Sequence, residues 1–275
     1  GDGDPIHIED TGALEAKPGD AVVVELLDEG GSNRAATGVV REVLGQAEDQ
    51  RVLLDMAVYS HGLPMVFERD VLDEAVAVPP VVVDDVLNGA RKDLRDITHV
   101  TIDGEDARDF DDAVGAVKEA GGFRIWVSIA DVSAYVREGT ALARAARERG
   151  TSVYFPHRVL PMLPERLSND LCSLRPGLPR LTLTCEMKVG PDGRPTDVSV
   201  YASLIQSAAR LTYGKVQEVL KGDGEQETLT PHLVDMIEGL AKVAGWLRVE
   251  RLRRGALDFD FPEPYAVMGE DGRPV

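Results

Sequence analysis

Cysteine, aromatic side chains, positive charge and long apolar runs are all scarce in this 275-residue chain. Its two cysteines, Cys172 and Cys185, have no Cys-x-x-Cys spacing and no histidine cluster beside them. That argues against a disulfide scaffold or a thiolate zinc site and reads as two reduced thiols in a cytoplasmic protein. No apolar stretch approaches the ~18 residues of a membrane-spanning helix, the longest being pieces such as Ala21 to Val24, so no membrane partner is expected. Gly1 to Pro5 show neither a basic n-region nor an apolar h-region, and no secretory leader is expected from them. Basic residues number 30 against 48 acidic, a formal net charge of −18, which at first argues against a nucleic-acid partner. What remains is ordinary for a folded protein. With 43% hydrophobic and 28% charged residues the chain is not disordered or fibrous, and its length suggests two domains or one and a half.

The charge is unevenly placed. Residues 1 to 95 hold 8 Lys and Arg against 20 Asp and Glu, so most of the acidity is N-terminal. Between residues 141 and 180 the balance reverses, with seven arginines (144, 147, 149, 158, 166, 175 and 180) against Glu148, Glu165 and Asp170. Arg248, Arg251, Arg253 and Arg254 form a second basic cluster. Either cluster reads as a solvated helix face or as a phosphate-lined path.

Turn chemistry divides the first 58 residues into short strands at Ile6 to Ile8, Ala21 to Leu27, Ala36 to Leu44 and Arg51 to Val58. Such spacing predicts a small OB-like barrel. Only Tyr59 and Phe67 are aromatic before residue 100, so no base-stacking platform is evident there. His61 to Asp96, with Pro79-Pro80 and the turn Asn88-Gly89, predicts a connector carrying helical turns such as Arg69 to Ala77. Beyond it strands are expected at Thr98 to Ile102, Ala113 to Val117, Arg124 to Ala130, Leu181 to Val189 and Asp197 to Ile205. Helices are expected at Ala141 to Arg149, Gly214 to Leu220 and Leu233 to Arg253, the last amphipathic through Leu233, Ile237, Leu240, Ala244 and Leu247.

The informative stretch is Asp-Gly-Glu-Asp-Ala-Arg-Asp-Phe-Asp-Asp at 103–112, six carboxylates and one arginine in ten positions. Two like charges ~5 Å apart repel by ~3 kcal/mol at an effective dielectric of ~20, so convergent carboxylates need cations or protons. Oxygen donors without neighbouring His or Cys select hard cations, Mg²⁺ or Mn²⁺, over zinc. For the carboxylates to converge, the chain must turn at Gly104 and distort near Phe110. The same composition suits a solvated acidic loop, and a calcium loop is a third reading, although the Asp-x-Asx-x-Asx-Gly order is absent.

Thr101 to Ala113 resembles the signature of the RNB superfamily, the ribonuclease II and ribonuclease R exoribonucleases, and is closer to the ribonuclease R version. Further blocks resemble the same family in the same order: Trp126 to Ser133, Arg149 to Pro156, Pro161 to Glu165, Leu167 to Leu174 and Ala209 to Tyr213. The fold class this implies is α+β: an OB-like cold-shock β-barrel at 1–58, a connector at 59–95, and the first part of a mixed α/β RNB catalytic domain at 96–275. The resemblance further implies a metal-dependent hydrolase that degrades RNA processively from its 3′ end to 5′ nucleoside monophosphates. The alternative is a non-catalytic RNA-binding or scaffold relative. By position, Asp103, Asp109, Asp111 and Asp112 match the family's metal-site aspartates, with Mg²⁺ as cofactor and Mn²⁺ as a substitute. Asp111 is the first choice for the residue whose loss damages chemistry most. Tyr154 matches the tyrosine that stacks on nucleotides near the RNA 3′ end, against the reading of a packed core aromatic. The implied partners are a single-stranded RNA 3′ end and the remaining half of the catalytic domain, in the same or another chain, with a monomer when complete.

Overall fold

The computed structural model describes residues 5–9, 15–31, 34–88, 91–155, 158–222, 229–257, 259 and 269. These fall into two compact units. One includes Gly1–Val66 and Tyr154–Leu160; the other comprises Phe67–Val153 and Pro161–Pro264.

In the first unit, β1 (Ile6–Ile8), β2 (Asp20–Asp28) and β3 (Ala36–Gln46) form a sheet in the order β1-β3-β2, with β1 parallel and β2 antiparallel to β3. The fourth expected strand is a helix instead, α1 (Gln50–Ser60). Its start was written in the sequence: the Asp49 side chain accepts the Arg51 N–H as an N-cap, and the run behind it has no glycine or proline to break a helix. Val52 and Val58 are its buried positions.

The second unit opens with α2 (Arg69–Ala77) and α3 (Val83–Asn88); Gly89 of the expected turn lies outside the described residues. Then come β4 (Lys92–Asp93), β5 (His99–Asp103), β6 (Asp112–Glu119), β7 (Gly122–Ala130) and α4 (Ala141–Arg149). The short strands β8 (Val153–Phe155) and β9 (Arg158–Leu160), which belong almost wholly to the first unit, pair with each other, and among the described residues with no other strand. A π-helical turn at Arg166–Leu171 precedes β10 (Pro179–Val189), β11 (Pro195–Thr212), α5 (Tyr213–Lys221) and α6 (Pro231–Arg253). Threonines cap the three later helices: Thr140, Thr212 and Thr230 each accept an amide from the first turn of α4, α5 and α6.

The large sheet runs β10-β7-β6-β5-β11-β4, and β10 also pairs with β11, so five of its strands close into a ring. Register decides which residues share a face. Val114 and Ala116 of β6 and Ile125 of β7 pack with Val100, Val189 and Leu211 against Met236, Ile237 and Val243 of α6. Gly239 lets the helix come close, since a Cβ there would sit 2.7 Å from the Phe123 ring. Ala113, Trp126, Ala130 and Ile205 belong to a second core with Phe110, Leu142, Leu167 and Leu174. The alternation between two cores is what a strand period of two demands of a sheet buried on both faces.

A chain of buried side chains crosses the ring. His99 Nδ1 lies 2.9 Å from the Ile97 carbonyl and Nε2 3.1 Å from Ser128 Oγ. Ser128, Thr184, Ser203 and Thr182 continue it through contacts of 2.6–2.7 Å. Burial pushes the His99 imidazole down from its ordinary value, against the pull of the Ile97 carbonyl, and so favours the neutral ring. Both cysteines are free, and among the described residues no helix is long and apolar enough to cross a membrane.

Candidate metal and RNA site

Strand geometry delivers the acidic stretch to one edge of the ring. Asp103 is the last residue of β5 and Asp112 the first of β6, so residues 104–111 form the connection between antiparallel neighbours. The turn expected at Gly104 is present, with the Ala107 N–H donating to the Gly104 carbonyl. The distortion expected near Phe110 is present too. Its ring is buried in the core, its N–H donates to Ser173 Oγ at 3.0 Å, and its carbonyl accepts the Leu174 N–H at 2.9 Å. Ser173 Oγ in turn donates to the Arg108 carbonyl, so one fully buried hydroxyl serves two backbone groups of the turn. The Asp111 carbonyl accepts the Ala130 N–H at 2.8 Å, which carries β6 into register with β7.

Anchored this way, the carboxylates feel one another. Asp111 keeps solvent access, yet the protein packed against its carboxyl raises its proton affinity above the ordinary value, and the charges of Asp109, Asp112 and Asp103 raise it further. Asp103, half-buried, is raised first by burial and then by Asp112 and Asp109. The Arg210 charge opposes the rise. Asp103 Oδ2 is buried without a hydrogen-bond partner, as is the Thr101 hydroxyl beside it. A buried carboxylate oxygen left unpaired, in a group of like charges, is a donor set that suits a hard divalent cation in kind. Among the described residues, however, no three His, Cys, Asp or Glu side chains are gathered into a metal cage. The residues fit the chemistry of the ion, and their side chains stand short of its coordination geometry.

Tyr154, on β8 in the first unit, is 64% exposed, which removes the reading of a packed core aromatic. The arginine-rich stretch that offered a phosphate path is largely committed to the protein itself. Arg144 pairs with Glu68 and Asp70, Arg147 with Glu138, and Arg158 with Asp55. Arg149 donates to the Pro161 carbonyl and lies over the Phe67 ring. Arg166, Arg175 and Arg180 converge on Asp170.

Two residues of the site escaped sequence reasoning: Ser173, and Arg210 on β11. Arg210 sits opposite Thr101 in the parallel β5–β11 register and donates from Nη2 to the carbonyls of Gly104 and Glu105, each at 2.6 Å. Both lie inside blocks that carried the family resemblance, the only signal that marked them.

Comparison with known proteins follows the same division. The RNB domain family matches residues 91–275 and the cold shock domain family residues 3–68. Ribonuclease R of Vibrio cholerae is 45% identical over 249 residues, which make up 90% of this chain and 30% of that protein. The chain thus spans about a third of the length of this relative. Among solved structures, Mycoplasma genitalium RNase R in complex with ribose methylated single-stranded RNA superposes with a TM-score of 0.91 at 25% identity, over 98% of this chain and 42% of that one. Yeast Ssd1, a pseudonuclease, shares the fold with a TM-score of 0.65 at 17% identity, over 86% of this chain and 29% of its own.

Proposed function

The chain belongs to the RNB domain family, in its ribonuclease R-like branch, and from that premise we propose that it carries the carboxylate part of a metal-dependent 3′-to-5′ exoribonuclease. Its products are 5′ nucleoside monophosphates, released processively. The observation that carries this reading is the turn at 103–112, where the fold holds four aspartates within one another's field and leaves a buried Asp103 oxygen unpaired.

Asp103, Asp109, Asp111 and Asp112 would hold the ion. Mg²⁺ or Mn²⁺, when bound, would supply neutralisation of the scissile phosphate and lower the pKa of an attacking water. Asp111 has three acidic neighbours, Asp109, Asp112 and Asp103, acting on its carboxyl, and it is the group we assign to ordering that water and accepting its proton. Tyr154 presents an exposed ring on which a base near the RNA 3′ end stacks without its identity being read. We assign residues 1–58 to the cold-shock barrel, 59–95 to the connector and 96–275 to the first part of the catalytic domain, whose remaining half lies in the same or another chain. The substrate is a single-stranded RNA 3′ end and the setting cytoplasmic, with the complete enzyme a monomer.

Fold alone does not decide activity, as the likeness to a pseudonuclease illustrates. The deciding experiment is an assay of the full-length protein on single-stranded RNA labelled at its 3′ end. Label released first as mononucleotide, only when Mg²⁺ or Mn²⁺ is present, is the expected result. RNA bound but never shortened would leave the non-catalytic scaffold reading standing. Tyr154→Ala is expected to lengthen the limit product by about a nucleotide while long RNA is cut at nearly the wild-type rate, because one stacked base is worth ~1–3 kcal/mol and short remnants have little else to hold them. Phe at this position should behave as Tyr, and an unchanged product ladder for the Ala variant would dismiss the stacking role.

A further inference from the structure

The acidic turn is fastened at two points. Ser173 holds its far end, at Arg108 and Phe110, through a neutral hydroxyl. Its near end, immediately after Asp103, is held by a cation. Arg210 Nη2 reaches the carbonyls of Gly104 and Glu105, and the guanidinium carbon lies 5.6 Å from the Phe110 ring centroid. Its Nε is buried without a partner, so the side chain is spent on aiming Nη2 and not on a full set of hydrogen bonds. A positive charge is an odd choice here. Placed beside carboxylates that are to receive a divalent cation, it competes with that cation by simple repulsion.

We propose that Arg210 is a positioning residue for the carboxylate turn, whose fork on the Gly104 and Glu105 carbonyls fixes the chain direction leaving Asp103. This inference rests on the reading of the four aspartates as a divalent-ion site. Two roles for Arg210 predict opposite signs. If it acts mainly as a counter-charge, removing it leaves a more negative site that binds a cation more tightly. If it acts by position, removing it lets the 104–107 turn wander and makes it harder for one ion to gather the aspartates, so the cation binds more weakly. Lysine separates charge from shape, because it keeps the charge while lacking the planar fork that serves two carbonyls at once.

The test compares full-length wild type with Arg210→Lys and Arg210→Ala, each shown to be folded by its circular dichroism and melting temperature. Mn²⁺ affinity is measured by calorimetry, and amide exchange across residues 104–110 is followed without metal. Position predicts Mn²⁺ binding about 10-fold weaker or more in both variants, the range found when groups supporting metal ligands are removed. It also predicts faster exchange at Ala107, whose N–H is bonded within the turn. Affinity unchanged in Arg210→Lys, or tighter in Arg210→Ala, overturns the proposal. Should wild type bind no Mn²⁺, the metal reading fails by itself. The clamp is then judged by exchange, with protection lost in Arg210→Lys supporting it and protection retained overturning it. Lysine remains informative if the Ala variant does not fold.

Discussion

Charge is crowded at three places in the second unit, and the crowding is resolved in two opposite ways. Around Asp170 one carboxylate collects three arginines, Arg166, Arg175 and Arg180. Glu250 likewise collects Arg253 and Arg194, which hold its carboxyl down at about 2. At 103–112 four aspartates press on one another, and the neighbouring arginine spends its hydrogen bonds on backbone carbonyls. The first arrangement is self-sufficient. The second leaves the carboxyls of Asp103 and Asp111 raised by burial and by their acidic neighbours, a surplus of negative charge that the proposed divalent cation would offset. Electrostatic strain that a fold could have relieved, as it did a short distance along the chain, is more informative than acidity as such.

The most severe way to break this contrast is to take one charge from the surplus. Asp111→Asn in the complete enzyme is expected to lower turnover by ~10³ or more, about 4 kcal/mol of transition-state stabilisation, with RNA affinity largely kept. Single-turnover assays beside RNA titrations check this, and turnover within tenfold of wild type would mean the wrong carboxylate was chosen. Next comes the satisfied side. Arg180 is buried, donates to the Ser173 carbonyl at 2.8 Å and reaches Asp170. Arg180→Ala should cost ~2–4 kcal/mol of stability in urea unfolding, since it leaves a buried carbonyl bare, whereas the exposed Arg175→Ala should cost less than ~1 kcal/mol. Ser173→Ala strips the Phe110 N–H of its partner at a smaller cost of ~1–3 kcal/mol, and it should loosen the turn enough to weaken Mn²⁺ binding as well.

The smallest effect is in the pH profile. Asp103 and Asp111 have carboxyls raised by folding, so the folded state takes up protons before the unfolded one does. Metal-free protein should therefore gain stability as pH falls from neutral through the raised values toward ~4. Glu250 works the other way: its contribution is full above the ordinary glutamate value and is lost as pH falls toward about 2. Urea midpoints against pH should show a shallow rise on mild acidification followed by a fall. Saturating Mg²⁺ should remove the rise and spare the fall. A profile with no Mg²⁺-sensitive limb would erase the distinction between the two regions.

Much of this architecture was legible beforehand. The helices at Arg69 to Ala77 and Ala141 to Arg149 carry clear periodicity and, in the second, a threonine cap and closing glycine, and they fall where expected. The strands of the ring were also placed: β6, β7 and β10 run two or three residues beyond the expected spans, β5 keeps its length one residue later, and β11 is twice as long as expected, since pairing extends into polar residues. The strand expected at Arg51 to Val58 is instead α1: its apolar residues suit either element, and the Asp49 cap ahead of them starts a helix. In the site, the Gly104 turn and the bend at Phe110 followed from what convergence requires. The fate of the arginines did not. Arg144 finds Glu68 and Asp70, and Arg158 finds Asp55, about a hundred or fewer residues away in sequence, and nothing local announces such pairs. His99, Ser128 and Thr184 were equally silent, since hydroxyls in a strand read as facing water until a closed ring encloses them.

The hold of Arg210 on Gly104 spans 106 residues of sequence, and that of Ser173 on Phe110 spans 63. During translation the acidic turn leaves the ribosome with neither fastening yet made. At ~5–20 residues per second, roughly 5–20 s pass between the emergence of Gly104 and that of Arg210. Every nascent chain shorter than that carries the aspartates without the geometry that aims them. The carboxylate edge is therefore set late in synthesis, when β11 zips against β5, and a half-made copy has the acids of the site without its shape.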